Sequence, residues 1–269
     1  MRLNIVQSGP APTGTGAEGE ATRSGTPVVL LHGLFGQARN FGLIQREIAA
    51  RAKVISLDLR NHGESPHAAG MDYRALAEDV ADTLRAAGAV PAAVLGHSMG
   101  GKVAMTLALR APEVVRRLVV ADIAPVTYPP FFRSYAEAML SLPLRAGMTR
   151  REAEAHLASV VGEAGVRAFL LQNLDLAAPQ PRWRIGLREI SEALPEIEGW
   201  PELAEGTRYD GPVLFLRGGR SDYVQPEYEE RIRALFPRVE FATVEKAGHW
   251  VHAEDPVGFL AAVTPFLTA

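Results

Sequence analysis

The chain has 269 residues, 28 basic against 31 acidic side chains (a formal charge of -3), and 47% apolar residues. This balance gives no basic footprint for nucleic acid and no polybasic run for an anionic membrane, and the absence of cysteine excludes disulfides, thiol nucleophiles and cysteine-based zinc sites. No apolar run approaches the roughly 18 residues of a membrane span, and residues 1–6 read as a short strand rather than a signal core, so a soluble, cytoplasmic protein is expected.

Residues 9–26 are rich in Gly, Ala, Pro and Thr and read as a surface connection. They contain Gly14-x-Gly16-x-x-Gly19, the spacing of a dinucleotide fingerprint, but no strand runs into it and no helix opens from it. Short, continuous apolar runs follow at 28–31, 54–57, 92–95, 118–120, 213–216 and 239–244. Runs of this kind suit strands buried on both faces of a mostly parallel sheet. Helical spacing recurs between and after them at 73–87, 99–109, 228–236 and 256–267. The alternation predicts an α/β fold with helices on both faces of the sheet. The connection from Asp122 to Pro212 is about 90 residues, too long for an ordinary crossover. It reads as helices at 131–140, 149–161, 165–173 and 184–194. The expected organisation is therefore a core of residues 1–123 and 210–269 with a helical cap, or lid, at 124–209.

Leu95-Gly96-His97-Ser98-Met99-Gly100-Gly101 joins a predicted strand to a predicted helix. G-x-S-x-G at such a junction is a nucleophile elbow: a sharp turn lifts the Ser98 hydroxyl above the sheet, and the helix N-terminus aims free amides at the same point. His32-Gly33-Leu34-Phe35-Gly36 follows another strand end. Such a turn can offer a backbone N–H to an oxyanion, with Leu34 the expected donor, Phe35 the next choice, and the Met99 amide the partner donor. Ala247-Gly248-His249-Trp250-Val251-His252 follows the last strand, and His249 fits a general base for Ser98. His252, His32 and His97 read as structural.

At these residues the chain resembles the α/β-hydrolase superfamily, and more narrowly the YbfF-type bacterial esterases and their mitochondrial relatives. The resemblance extends through Asp58-Leu59-Arg60-Asn61-His62-Gly63-Glu64-Ser65-Pro66-His67, Asp122-Ile123-Ala124-Pro125-Val126 and Phe169-Leu170-Leu171-Gln172-Asn173-Leu174. It implies an α/β-hydrolase fold and a serine esterase or thioesterase working through an acyl-enzyme, with no cofactor and no metal. The implied partner is a small ester or acyl-thioester substrate, with neither nucleic acid nor membrane.

The superfamily's usual acid slot, Gly-x-x-Asp-x-x-Val, is here Gly218-Gly219-Arg220-Ser221-Asp222-Tyr223-Val224. Ser221 fills the slot and Asp222 stands one position late. The other placement is one strand earlier, at Asp122, and the resemblance points there; Asp222 stays the alternative. Asp58, Arg60, Asn61 and His62 are expected to brace the oxyanion turn. Phe35, Phe131, Phe132, Phe169, Trp183 and Trp250 are candidate substrate contacts in an apolar acyl pocket between cap and sheet. Carbon–carbon bond hydrolysis, perhydrolysis and a non-catalytic ligand-binding role on the same scaffold stay open. Dehalogenase and epoxide hydrolase chemistry is disfavoured, because each needs a carboxylate where Ser98 stands.

Overall fold

The computed structural model describes residues 1–9 and 25–269, so the Gly14-x-Gly16-x-x-Gly19 spacing lies outside the described residues. The strands are β1 (Ile5–Ser8), β2 (Val28–Leu31), β3 (Val54–Leu57), β4 (Ala92–His97), β5 (Val115–Ala121), a small hairpin of β6 (Leu174–Asp175) and β7 (Arg182–Trp183), β8 (Val213–Gly218) and β9 (Val239–Val244). The helices before the long connection are α1 (Gly42–Ala49), α2 (Tyr73–Ala86) and α3 (Met99–Arg110). Within it lie α4 (Arg133–Leu140), α5 (Arg150–Leu157), α6 (Ala164–Leu171), α7 (Leu187–Glu192) and α8 (Leu194–Glu198). After it come α9 (Glu229–Leu235), α10 (Val251–Glu254) and α11 (Pro256–Thr268).

Seven strands form one sheet in the order β1-β3-β2-β4-β5-β8-β9. Only the β1–β3 pair in it is antiparallel. The period-2 geometry of a strand divides its apolar side chains between two cores. Val29 and Leu31 of β2, with Ala92 and Val94 of β4, enter the core under α2, α3 and α9. Val28 and Leu30, with Ala93 and Leu95, enter the core under α1 and α11. Both faces being covered is why the central strands read as unbroken apolar runs.

Register brings the functional ends together. Leu31 lies beside Gly96, His97 beside Ala121, and Ala121 beside Leu216, while Gly218 pairs with Val244. The turns after β2, β4, β5, β8 and β9 therefore open side by side at the carboxyl edge of the sheet, where α/β folds bind ligands.

Several element boundaries differ from those read in the sequence. The helix expected at 184–194 is the shorter α7, and a separate helix, α8, opens at Leu194 with Pro195, which cannot continue α7. The helix expected at 149–161 begins on schedule, with a Thr149–Glu152 capping box, but ends at Leu157. The first strand is Ile5–Ser8 rather than 1–6. No helix of the described residues is long and apolar enough to cross a membrane.

Candidate active site

Ser98 sits between β4 and α3 with φ 53° and ψ -122°. Phe35, Asn61 and Asp122 share this positive φ; among the described residues these four are the only non-glycine residues there, and all belong to the sheet's carboxyl edge. Concentrated strain of this kind persists only where its surroundings enforce it. The glycine pattern supplies the room: a Cβ on Gly96 would stand 2.1 Å from the Gly100 carbonyl oxygen, and one on Gly100 would stand 2.4 Å from the Leu31 oxygen.

The His249 ring links Ser98 to a buried carboxylate. Its Nε2 lies 3.1 Å from Ser98 Oγ, and its Nδ1 lies 2.8 Å from Asp122 Oδ2. Asp122 is completely buried. Its Oδ1 accepts from the Gly218 amide at 2.9 Å, and its Oδ2 also accepts from the Ser221 hydroxyl. Both the Gly218 amide and the Ser221 hydroxyl donate to the Asp122 side chain, which fits a carboxylate. The Nδ1–H of His249 thus points to Asp122, leaving the Nε2 lone pair for the Ser98 proton. Asp222 is exposed and its side chain meets Gln225 instead. Ser221, in the slot where an acid would usually stand, serves as a donor to Asp122.

Two residues to which the sequence assigned no part in catalysis flank His249. The Tyr223 ring stacks on His249 with centroids 3.9 Å apart and planes 20° apart. His97 donates from Nε2 to the His249 carbonyl at 2.7 Å. Burial, together with His252 and His249 nearby, holds the His97 pKa well below the usual histidine value. A neutral ring fits its role as a single-proton donor. His252 is also buried, with its pKa lowered to about 4 by desolvation and then by His249.

In the turn after β2 the Gly36 amide donates to the Gly33 carbonyl at 2.9 Å. Phe35 N–H donates to His62 Nε2 at 3.1 Å. The Leu34 amide has no such partner among the described residues, and Met99, as the first residue of α3, has no intrahelical acceptor for its own. His62 Nδ1 completes its ring by donating to the Arg60 carbonyl at 2.9 Å. Burial, then the nearby His32, lowers the His62 pKa to about 3. Asp58 bonds the Ala38 amide at 2.6 Å, the Glu64 amide and Asn4. His32 accepts the Leu59 amide at Nε2, and Asn61 bonds Ala68 in both directions. Asn173, just past α6, donates to the Phe35 carbonyl at 2.8 Å, so the long helical connection also clamps this turn.

Two cavities meet at Ser98. The first, about 300 Å³, runs past His249, Trp250, Phe169, Leu170 and Phe35. The second, about 290 Å³, runs past Met99, Ile123, Tyr128, Ile197 and Lys102. Leu34, Phe131, Phe132 and Tyr223 border both. Of the predicted substrate contacts, Trp183 borders neither: it stands on β7, and its indole N–H donates to the Met139 carbonyl at 3.1 Å. An aromatic expected on the substrate side is instead part of the helical layer's own packing. Lys102 is buried, with Nζ 3.1 Å from the Glu198 carbonyl and 2.5 Å from that of Gly199. Desolvation lowers its pKa to about 7 against the opposing pull of Glu198.

A model of the alpha/beta hydrolase fold family matches residues 26–256. The chain belongs to the α/β-hydrolase family. This α/β-hydrolase is 43% identical over 258 residues to the sn-1-specific diacylglycerol lipase ABHD11 of Mus musculus, covering 93% of this chain and 83% of that protein. It is 37% identical over 245 residues to esterase YbfF of Escherichia coli (strain K12), covering 90% and 93% of the two chains. The solved structure of a marine microorganism esterase superposes with a TM-score of 0.90 at 31% identity, covering 99% of both chains.

Proposed function

We propose that this α/β-hydrolase cleaves carboxylic esters or acyl thioesters through an acyl-enzyme on Ser98. The observation that carries the reading is the continuous hydrogen-bond path from Ser98 Oγ through His249 to buried Asp122. The lipase and esterase names of its relatives support an acyl substrate.

In this reading His249 Nε2 takes the Ser98 proton as Oγ attacks the acyl carbonyl, and Asp122 stabilises the imidazolium that forms. The oxyanion rests on the Leu34 and Met99 amides. Collapse of the tetrahedral adduct breaks the bond to the leaving oxygen or sulfur, which receives the proton from His249. Water then gives a proton to His249 and attacks the acyl-serine; the second collapse frees the acid and returns the proton to Ser98. Residues 124–209 act as the cap over this site and residues 1–123 and 210–269 as its core. The same reading places the protein in the cytoplasm, which cell fractionation checks.

Hydrolysis of 4-nitrophenyl butanoate tests the proposal. Turnover by the wild-type chain, lost on Ser98→Ala, is the expected outcome. Stoichiometric binding without turnover would replace catalysis with ligand binding.

A further inference from the structure

The geometry points to a division of labour between the two cavities: the second holds the acyl chain and the first holds the leaving group. This assignment rests on the serine-hydrolase reading and names the substrate class for the same site. His249 borders the first cavity and not the second. The leaving oxygen or sulfur must collect its proton from His249 Nε2, so it departs on that side. Hydrolytic water must give its proton to the same nitrogen, so it enters through the space just vacated. An acyl chain lying in the first cavity would block that water. The second cavity, bordered by Met99, Ile123, Tyr128 and Ile197, keeps the chain on the other side of Ser98, clear of the proton path.

Size and wall chemistry set the class. At roughly 30 Å³ for each water-sized group, a cavity of about 290 Å³ admits on the order of ten heavy atoms. Its lining also includes Lys102, whose Nζ donates to the Glu198 and Gly199 carbonyls, and Glu198, whose carboxylate accepts the Phe131 and Phe132 amides. A chain that reaches these groups meets a polar wall that offers no apolar burial. The favoured substrates are therefore esters and thioesters of medium-chain acids, about eight carbons or fewer, on an apolar leaving group. Up to that length each added methylene raises kcat/KM by at most about fourfold.

Two substrate series on the full chain test the assignment: 4-nitrophenyl esters from acetate to hexadecanoate, and butanoates of alcohols from ethanol to dodecanol. Ile197→Trp narrows the second cavity and is expected to shorten the preferred acyl length to about four carbons while leaving the alcohol series in its original order. Val166→Trp, in the first cavity, is expected to do the reverse. The opposite pattern, or unchanged profiles in both folded variants, overturns the assignment. A crystal structure of the wild-type chain treated with 4-nitrophenyl octylphosphonate tests it without substitution, with the octyl chain expected against Ile197. Labelled Ser98 with the chain against Phe169 overturns the arm assignment alone. A chain that hydrolyses no ester and leaves Ser98 unlabelled overturns the hydrolase reading, and the assignment falls with it.

Discussion

Replacing Asp122 by Asn keeps the shape of the site and reverses one hydrogen bond. The Gly218 amide requires an acceptor, so the Asn oxygen stays there and its NH2 group faces His249 and Ser221. Imidazole Nδ1 then becomes an acceptor, the ring proton moves to Nε2, and Ser98 faces a donor that cannot take its proton. The transition state also loses a carboxylate 2.8 Å from the imidazolium. A unit charge pair at that distance is worth roughly 6 kcal/mol at an effective dielectric of about 20. Residual screening at the partly exposed ring brings the expected loss to about 4–5.5 kcal/mol, or about 10^3- to 10^4-fold in kcat. Asp222→Asn changes an exposed carboxylate beside Gln225, at the border of the second cavity and without a hydrogen bond to His249, and should cost less than about threefold, roughly 0.6 kcal/mol. Hydrolysis of 4-nitrophenyl butanoate, normalised to active sites by fluorophosphonate titration, measures both. Retention of more than a tenth of wild-type kcat by Asp122→Asn, or a larger loss in Asp222→Asn, refutes the reasoning.

Other consequences are equally direct. Gly100→Ala puts a methyl 2.4 Å from the Leu31 carbonyl oxygen and 2.5 Å from that of His32, both rigid backbone, so urea unfolding should show a loss of about 3 kcal/mol or more. Gly42→Ala meets no heavy atom within 4 Å at a helical position and should gain about 0.4–1 kcal/mol; equal effects of the two substitutions contradict the packing account. His62 and His252, held neutral with pKa values of about 3 and 4, take up protons more readily when unfolded. Stability should therefore fall as pH drops below 6.5, by about 1.4 kcal/mol per unit for each ring until its folded pKa is reached; denaturation midpoints that stay flat from pH 6.5 to 5 contradict this. Tyr223→Leu removes the ring stacked on His249 and should lower kcat by about 2- to 30-fold, whereas Tyr223→Phe keeps the stack; an equal loss in both would deny the ring its role.

The centre of the sheet was legible because β2, β3, β4 and β8 are buried on both faces and so lack the alternation of half-exposed strands. Helix α1 was missed because it follows a short turn of 3-10 helix, begins at Gly42 and has no capping side chain. The β6–β7 hairpin is two residues a side, too short for any periodicity, and it carries Trp183 away from the cavities. In the site, Ser98, His249 and the turn after β2 announce themselves by spacing. Tyr223 does not: it stacks through tertiary geometry, and its neighbour Asp222 drew the reading toward a carboxylate. Ser221 looked like a vacant acid position in the sequence and is a donor to Asp122 in the fold. That reversal shows only when β5 and β8 lie side by side.

The central claim, a single hydroxyl activated by His249, is tested most directly by treating the protein with a fluorophosphonate and mapping the adduct by peptide mass spectrometry. One adduct per chain on Ser98, absent from Ser98→Ala and formed at least a hundredfold more slowly in His249→Ala, is the predicted result. Adducts at other hydroxyls, or labelling of Ser98 at an undiminished rate without His249, would contradict it.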